Sequence, residues 1–329
     1  MIKMKFQWLQ LLMICNLFFI TPTIAQQVFE DIVYEPVSIE YEGVHSPVIQ
    51  DYADRAFVAI KNYHSKTAQE LFDSILIIDK HNLLGLYGLA ACKHADGDYE
   101  AAIEALTPLI NVNPKNAGLF SLRARCFMVL DNMPKALEDF KIAVELTADE
   151  KDILSLSECL FYTGDYAASI LEADKFSLKQ NKKPDGFFVK GLAKSELKDF
   201  LGANEELKKA IDIDPENSTA YFQMARNFLL LKETNKAMKQ INKALELDTK
   251  NAQALDLRAE LKYLNHDYSN AIIDCNRVIQ LDDETKYAYL TRGKSYNKMG
   301  LKKDACADFK KALELGNSDA TEQLTKYCK

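Results

Sequence analysis

Apolar and small residues recur along this chain with a period of about 34 positions. In the last full copy, residues 286–319, two amphipathic segments at about 287–299 and 303–315 flank a turn at Gly300. Apolar residues recur at helical spacing in both segments, so each is predicted to form a helix. A single helix pair cannot bury its apolar face alone and needs neighbours of the same shape. The copies are predicted to begin at residues 49, 83, 117, 150, 184, 218, 252 and 286.

Two positions of the repeat hold only Gly, Ala or Ser in all eight copies. The eighth position holds Ala56, Ala90, Ala124, Ser157, Gly191, Ala225, Ala259 and Gly293. The twentieth position holds Ala68, Ala102, Ala136, Ser169, Ala203, Ala237, Ala271 and Ala305. The distance between packed helices depends on the side chains at the contact, so these columns predict a close approach within each pair.

These residues resemble the tetratricopeptide repeat family. The family pattern of large and small residues with a closing Pro reads here as Phe187, Gly191, Ala203, Leu207 and Pro215, and as Leu86, Ala90, Ala102, Leu106 and Pro114. The resemblance covers residues 49–319. It implies an all-α, right-handed α-solenoid of about eight tetratricopeptide helix pairs, closed by a C-terminal capping helix at residues 320–329.

One departure from the family pattern lies in the first helix of three copies. There a Leu is replaced by Arg123, Arg258 or Arg292. An Arg stem can lie along apolar surface while its charged head stays in water. We therefore expect these side chains to be half-exposed, with solvated heads.

The N-terminal 25 residues have the pattern of a cleavable secretory signal peptide. Lys3 and Lys5 precede an apolar run at residues 11–20, and the small residues Thr23 and Ala25 precede Gln26. The apolar run is about half of the ~20 residues that a membrane span needs, so we expect cleavage rather than an uncleaved anchor. The mature chain is then expected to be exported, periplasmic or extracellular, from a Gram-negative-type bacterium, with no membrane span of its own.

Residues 26–48 break from the helical period and are acidic. Val33, Val37, Ile39 and Tyr41 fall on alternate positions, as in an extended segment. Terminal residues are poorly ordered unless other contacts hold them. Two interpretations stay open: a poorly ordered lead-in, or a strap that packs over the first repeat or inside its groove.

The overall charge argues against two classes of partner. Formal net charge is -7, and removing Lys3 and Lys5 with the N-terminal segment leaves 39 basic and 48 acidic residues, a net charge of -9. Nucleic acid and anionic membranes bind basic surfaces. We expect neither as a partner, and the sequence leaves the oligomeric state open.

No sequence motif for catalysis or for a cofactor is present. The phosphate-binding loop, the G-x-S-x-G elbow and the H-E-x-x-H zinc motif are all missing from the sequence. The five His residues are isolated from one another, whereas a metal site needs converging ligands. We expect a protein that is not an enzyme and that carries no cofactor or metal.

The seven Cys fall into three groups. Cys15 leaves with the signal peptide, whereas Cys92, Cys126 and Cys159 occupy the tenth position of consecutive copies and are predicted to be free, buried thiols. Cys275, Cys306 and Cys328 lie near the C-terminus, where one pair could form a disulfide in an oxidising compartment. We favour Cys306 with Cys328, because that bond would hold the capping helix.

The resemblance implies that the first helices line a concave groove that binds another protein or an extended peptide. Aromatic residues interleaved with Arg are typical of a recognition surface, although any of them could instead pack against a neighbouring copy. The candidate groove residues are Tyr87, Arg125, Leu154, Phe161, Phe188, Phe222, Arg226, Tyr263, Tyr287 and Lys294.

The family's clamp for chaperone tails requires Lys and Asn at set groove positions, which here hold Tyr87 and Ala91, or Phe222 and Arg226. The interpretation is a non-catalytic binding scaffold without that clamp. Two alternatives stay open. One is an accessory subunit of a cell-envelope complex that uses its outer face or ends, and the other is a protein that binds a glycan or small ligand in the aromatic groove.

Overall fold

A computed structural model describes residues 46–328, and every regular element in that range is an α-helix. In chain order the helices are α1 (Pro47–Lys61), α2 (Ser65–Ile78), α3 (Leu83–Ala95), α4 (Tyr99–Val112), α5 (Ala117–Val129), α6 (Met133–Thr147), α7 (Glu150–Tyr162), α8 (Tyr166–Lys179), α9 (Asp185–Glu196), α10 (Phe200–Ile213), α11 (Ser218–Leu230), α12 (Thr234–Leu247), α13 (Ala252–Leu264), α14 (Tyr268–Leu281), α15 (Lys286–Lys298), α16 (Lys302–Glu314) and α17 (Asp319–Tyr327). The all-α prediction is confirmed. The predicted signal peptide and the acidic segment up to residue 45 lie outside the described residues.

Helix boundaries differ from the predicted ones by one or two residues. The first helix begins at Pro47, two residues before the predicted start of the first copy, because Pro is favourable in the first turn of a helix. The capping helix runs from Asp319 to Tyr327 instead of filling residues 320–329. The repeat period is unaffected.

The chain divides into two compact units, one ending at Asn181 and the other beginning at Lys182. Unit 1 denotes the described residues 46–181, with the pairs α1–α2, α3–α4, α5–α6 and α7–α8. Unit 2 denotes residues 182–328, with the pairs α9–α10, α11–α12, α13–α14 and α15–α16, followed by α17. Within each unit, every first helix packs on its second helix, and every second helix packs on the first helix of the next pair. Each unit is therefore a stack of helix pairs.

Local backbone chemistry sets the turn inside a pair. Gly97 ends α3 with a φ of 80°, and the Asp98 side chain then accepts a hydrogen bond of 3.2 Å from the Ala101 N–H at the start of α4. Before α10, Lys198 is the left-handed residue, with a φ of 64°, and Asp199 is the residue that caps the helix. A left-handed residue ends one helix and an Asp caps the next, so the hairpin is largely encoded within a few residues.

The two columns of small residues are buried in every copy, as predicted. A Cβ placed on Gly191 would lie 2.7 Å from Leu207 Cγ, and one on Gly293 would lie 2.7 Å from Phe309 Cε1. Such distances are shorter than a van der Waals contact between carbon atoms. Leu207 and Phe309 are at the twenty-fourth position of their copies, on the second helix. They therefore occupy the space that the glycine of the first helix leaves open.

The fourth copy has Ser in both columns and forms hydrogen bonds there. Ser157 Oγ donates to the Ser169 carbonyl at 2.9 Å, and Ser169 Oγ donates to the Ser157 carbonyl at 2.8 Å. Both side chains are completely buried. A buried hydroxyl needs a partner, and these two satisfy each other at the same close approach.

The prediction that the three first-helix Arg residues keep their heads in water is wrong. Arg123 Nε and Nη2 donate to the two carboxylate oxygens of Asp139 at 2.7 and 2.8 Å, and Arg123 Nη1 donates to Thr107 Oγ1 at 3.3 Å. Asp139 is only 3% exposed, and a buried carboxylate requires a paired cation. The same arrangement recurs in the sets Arg258, Asp274 and Asn242, and Arg292, Asp308 and Asn276.

These ion pairs join positions 7 and 23 of one copy, and their third bond reaches position 25 of the preceding copy. The fifth copy uses Lys190 and Glu206 at the same two positions, with Nζ and Oε1 3.4 Å apart. The second copy has Leu89 and Ala105 there instead. The two positions therefore carry either a matched charged pair or an apolar pair in these copies.

The first helix begins the stack of described helices and has an exposed face. Val58, at the tenth position, is 58% exposed, whereas Cys92 and Cys126 at that position of the next two copies are 3% and 0% exposed. Asp51 accepts a hydrogen bond of 3.1 Å from Arg55 one turn further along. The exposed face therefore carries both an apolar residue and an ion pair.

The last helix, α17, covers the other end of unit 2. Ala320 is fully buried, and Leu324 and Tyr327 pack on a cluster that includes Leu290 and Phe309. A disulfide joins Cys306 of α16 to Cys328, with their Cα atoms 5.7 Å apart. This is the pair that the sequence analysis favoured.

The remaining cysteines of the described chain are Cys92, Cys126, Cys159 and Cys275, and all four are free and buried. Burial raises the pKa of the Cys92 and Cys126 thiols to about 12, and raises that of Cys159 and Cys275 in the same direction. A thiol that stays protonated is a poor nucleophile, so these residues act as small apolar side chains. The prediction of free buried thiols at Cys92, Cys126 and Cys159 is confirmed.

Replacing Asp139 with Ala is expected to lower the free energy of unfolding by about 3 kcal/mol, because it leaves Arg123 largely buried without its carboxylate. The double variant Arg123→Leu/Asp139→Ala recreates the Leu89/Ala105 combination of the second copy and should cost less than the single variant. Chemical denaturation measures both, with the exposed neighbour Glu138→Ala as control. A double variant at least as unstable as Asp139→Ala would contradict this account.

Removing the disulfide by Cys306→Ser/Cys328→Ser is expected to destabilise the attachment of α17 by about 3 kcal/mol, from the loop-closure entropy of the 22-residue separation. Hydrogen exchange of residues 319–327 should speed up in this variant and in reduced wild-type protein alike. The double Ser variant should not respond further to reductant. Equal free-thiol counts in denatured wild-type protein with and without reductant would show that the bond does not form.

Candidate functional site

The inner face is defined here as positions 2, 5, 9 and 12 of each copy. These positions lie on the first helix and hold the ten candidate groove residues. In unit 1, α1 contacts α3 and α3 contacts α5. In unit 2, α9 contacts α11, α11 contacts α13, and α13 contacts α15. Because neighbouring first helices touch, their inner-face positions form a surface within each unit.

The structure divides the ten candidates equally between buried and accessible side chains. The buried ones, at 4–8% exposure, are Tyr87, Arg125, Phe161, Phe188 and Phe222. The accessible ones are Leu154, Arg226, Tyr263 and Lys294, which are half-buried, and Tyr287, which is 46% exposed. The buried five pack inside the units, which is the alternative that the sequence left open for each residue. The accessible five can meet a partner without rearrangement.

A buried polar centre lies on the first helices of unit 1. The Ser121 hydroxyl donates a short hydrogen bond to the Asp152 carboxylate, and Arg125 Nη2 donates to the other oxygen of Asp152 at 3.3 Å. Ser121, Arg125 and Asp152 are 0%, 8% and 1% exposed. The centre therefore links α5 to α7 through charged and polar groups that are shielded from water.

Arg125 is less satisfied than the other Arg residues of the first helices. Arg123 makes three hydrogen bonds with 18% of its side chain exposed, whereas Arg125 makes one long bond with 9% exposed. Arg125 Nε is buried and has no hydrogen-bond partner, and neither has the hydroxyl of Ser155, one turn beyond Asp152 on α7. Buried polar groups without partners are costly, so this region favours an added acceptor.

Burial controls the protonation of the groups around Arg125. Burial raises the pKa of the Asp152 carboxyl, although Arg125 and Ser121 partly oppose that shift. Burial also raises the pKa of Tyr87 to about 12. His94 has its pKa lowered to about 4, first by burial and then by the positive charge of Arg125. At neutral pH, Tyr87 and His94 are therefore uncharged.

Sequence analysis missed Ser121 and Asp152 as parts of this centre. His94 lies close enough for the positive charge of Arg125 to lower its pKa, and its ring lies 5.2 Å from that of Tyr99. Asp152 occupies the third position of its copy. The first copy has the exposed Asp51 there, and the other six copies have Gly85, Leu119, Gly186, Ala220, Ala254 and Ala288. A carboxylate inside the array, at a position that is small or apolar in the neighbouring copies, was the available signal.

Unit 2 has a different inner face, with two carboxylates on α13. Asp256 and Glu260 lie one turn apart at positions 5 and 9. Burial and the nearby charge of Glu260 raise the pKa of Asp256 to about 7, and Asp256 Oδ1 has no hydrogen-bond partner. Burial raises the pKa of Glu260 as well, and Lys294 of α15 opposes that shift. This surface can accept hydrogen bonds and partly neutralise a cation.

The other accessible candidates of unit 2 have modest contacts. Arg226 Nη1 lies 3.7 Å from Glu196 Oε1, and the Tyr263 ring lies 5.6 Å from that of Tyr268. Across the described residues, no three His, Cys, Asp or Glu side chains converge as metal ligands. None of the helices described is both long enough and apolar enough to cross a membrane.

Acidification is expected to destabilise the protein through His94. Its folded pKa of about 4 lies below the ordinary 6.5, so the unfolded chain takes up the proton first as the pH falls from about 6.5 to 4. The full shift corresponds to about 3 kcal/mol of unfolding free energy. His94→Gln should flatten the pH dependence over this window, whereas the exposed His81→Gln should not. An unchanged slope in His94→Gln would exclude this contribution.

Comparison with known protein families gives matches along most of the array. The tetratricopeptide repeat model matches residues 59–126, 196–261 and 287–317. Two curated relatives are similar over about a third of this chain. DnaJ homolog subfamily C member 3 of Gallus gallus is 28% identical over 123 residues, which are 37% of this chain and 24% of that protein. Mitochondrial import receptor subunit TOM70 of Homo sapiens is 27% identical over 120 residues, 34% of this chain and 20% of that protein.

The matched region therefore spans about a quarter or less of the length of these relatives. Among solved structures, the Cut9–Hcn1 hetero-tetramer of the APC/C gives a TM-score of 0.60 at 15% identity, over 91% of this chain and 58% of that one. The C-terminal part of a TPR repeat-containing protein from Cytophaga hutchinsonii gives a TM-score of 0.58 at 18% identity, over 72% of this chain and 99% of that one. With the repeat period, the helix pairs and the family match in agreement, this chain belongs to the tetratricopeptide repeat family.

Proposed function

We propose that this protein is a non-catalytic scaffold whose inner face binds an extended segment of another protein. The observation that carries the proposal is the set of buried inner-face polar atoms without hydrogen-bond partners. These include Arg125 Nε in unit 1, and Gln253 Oε1 and Asp256 Oδ1 in unit 2. An extended peptide supplies a donor and an acceptor at every residue, so it can satisfy both kinds of atom.

Accessible apolar side chains lie on the same surface. Leu154, Tyr263 and Tyr287 are exposed in part at inner-face positions of three first helices. Aromatic side chains bury much area at a small cost in conformational entropy, which suits them to recognition. Because packed helices hold these residues, little ordering is needed when a partner binds. The inner face thus offers anchors for side chains and hydrogen bonds for backbone.

The curated relatives agree with a binding role. One of them is named an import receptor subunit, although the similarity covers only a fifth of that protein. The groups of the unit 1 centre are arranged for hydrogen bonding, and burial keeps the Cys126 thiol protonated and the His94 imidazole neutral. These features support binding without chemistry, and we propose no catalysed reaction, cofactor or nucleic-acid partner.

We also propose that the chain acts outside the cytoplasm, in a periplasmic or extracellular space. The support is the signal-like pattern of residues 1–25, which lie outside the described part of the chain. The disulfide between Cys306 and Cys328 fits an oxidising compartment.

The test is site-specific photo-crosslinking in the protein's own host. A photoreactive residue replaces Leu154 or Tyr263 on the inner face, or, as controls, the exposed Leu171 and Leu281 of second helices. Inner-face positions are expected to capture the same protein partner, and the controls to capture none. Capture only from the controls would favour an accessory subunit that uses its outer face. No captured protein, together with binding on a glycan array, would favour the glycan-binding alternative.

Affinity for the captured partner is then expected to fall at least tenfold in Leu154→Asp and in Tyr287→Ala, because each removes an accessible anchor. Leu171→Asp and the exposed Tyr63→Ala are the matched controls and should bind normally. Phe188 and Phe222 are poor test positions, because both are buried and their loss would destabilise the fold itself. Unchanged affinity in both inner-face variants would refute binding at this surface.

A further inference from the structure

Two buried oxygen atoms on the inner face of unit 2 have no hydrogen-bond donor within the described chain. They are Gln253 Oε1 and Asp256 Oδ1, at positions 2 and 5 of the seventh copy. Residues three apart on a helix are neighbours on its surface, so one incoming group can reach both oxygen atoms. Each side chain as a whole is half-buried, which leaves part of it open to the inner face.

Asp256 departs from the pattern of its own position in the repeat. The fifth position of the other copies holds uncharged residues: Ala53, Tyr87, Ser121, Leu154, Phe188, Phe222 and Leu290. In unit 2 the three equivalents Phe188, Phe222 and Leu290 are only 8%, 4% and 4% exposed. An apolar residue therefore fits this position in the other copies of unit 2, and packing between helices gives no reason for a carboxylate.

The same copy shows how this fold compensates a buried carboxylate elsewhere. Asp274 Oδ2 accepts hydrogen bonds from Arg258 Nε at 2.7 Å and from Lys262 Nζ at 2.6 Å. A carboxylate removed from water is stable only when cations and hydrogen bonds compensate it. No hydrogen bond of the described chain reaches Asp256 Oδ1, although it is buried as well.

The inner-face cations of the neighbouring first helices act on other carboxylates. Arg226 Nη1 of α11 lies 3.7 Å from Glu196 Oε1. Burial raises the pKa of Glu260, and Lys294 of α15 opposes that shift. Burial and then the charge of Glu260 raise the pKa of Asp256 to about 7. The ionised form of Asp256 is consequently destabilised in the free protein, and an added positive charge would stabilise it.

We propose that Gln253, Asp256 and Glu260 bind a Lys or Arg side chain of the segment held on the inner face. The site extends the proposed function and depends on it, because it names a residue type that the partner segment must carry. An ammonium or guanidinium group donates several hydrogen bonds and brings a positive charge, so it can satisfy both buried oxygen atoms and compensate Asp256. Rotation about the Cβ–Cγ bond can turn the buried oxygen of Asp256 toward the surface, because this torsion has broad energy wells.

The surroundings of the site also suit a basic side chain. Glu260 is exposed one turn beyond Asp256 and adds negative charge there. Tyr287 is 46% exposed at position 2 of α15, the position that Gln253 occupies on the neighbouring α13. An aromatic ring attracts a cation through its face, and the aliphatic stem of Lys or Arg packs well on apolar surface. The carboxylates supply charge and the ring supplies contact area.

The test selects peptides that use the inner face of unit 2. A random peptide library displayed on phage is depleted on the Tyr287→Ala variant and then selected on the full chain at pH 8. Depletion removes peptides that bind elsewhere, and at pH 8 most of Asp256 is ionised, because its pKa is about 7. The affinities of the recovered peptides are measured for wild type, for Asp256→Asn and for the control Asp212→Asn. Asp212 is exposed on α10, so the control removes the same charge from a second helix.

The recovered peptides are expected to carry a Lys or Arg at a shared position. Replacing that residue with Gln should lower affinity at least tenfold for wild type and for Asp212→Asn, but less than twofold for Asp256→Asn, because the two changes remove the same interaction. Equal losses in Asp256→Asn and wild type would overturn the proposal, and so would peptides without a shared basic position. Either result would leave the proposed function standing. If no peptide binds wild type even without depletion, the proposed function fails as well; if peptides bind only without depletion, the basic-residue site alone fails.

A stability measurement separates a binding role of Asp256 from a structural one. Asp256→Asn should not lower the thermal midpoint of the free protein at pH 8, because no group of the described chain donates to the buried Oδ1 atom. The same variant should lose affinity for the basic peptides. A lowered midpoint would show that the carboxylate supports the fold itself and would overturn the proposal.

Discussion

The close contact between the eighth and twentieth positions of each copy determines the rest of this structure. Glycine, alanine or serine at both positions lets two helices approach closely, and in the fifth and eighth copies the large residue at position 24 fills the space beside the glycine. The distances from Gly191 to Leu207 and from Gly293 to Phe309 leave no room for a Cβ at either glycine. Because the pair geometry is held by this contact, each pair presents a similar surface to the next, and a stack forms.

Charged pairs add a second level of order between copies. Arg258 and Asp274 form a bidentate pair inside one copy, and the same guanidinium reaches Asn242 of the preceding copy. The interaction therefore depends on both the hairpin and the stacking being correct. Apolar alternatives such as Leu89 with Ala105 fill the same positions elsewhere. The Arg–Asp pair adds geometric specificity that the apolar pair lacks, because a buried carboxylate tolerates few arrangements of its partner.

Binding capacity is a consequence of this stacking. The first helices are held side by side, and several polar groups on their shared face become buried. Asp152 and Arg125 meet across two copies, while Asp256 is half-buried beside Glu260 and its buried Oδ1 atom has no hydrogen-bond partner. Such groups lower stability when no partner is bound, and they offer specific contacts to one that is. The proposed binding surface therefore coincides with groups that lower the local stability.

The amino-acid sequence by itself determined the repeat period, the helix pairs, the small columns and the buried thiols, because each follows from spacing within about one copy. Tertiary structure alone decided which inner-face residues are accessible: Phe188 and Phe222 are buried, whereas Tyr287 is not. It also decided that the Arg123 head meets Asp139 and that the pKa of Asp256 rises to about 7. Burial and charge depend on side chains contributed by other helices, and periodicity along one helix carries no information about those neighbours.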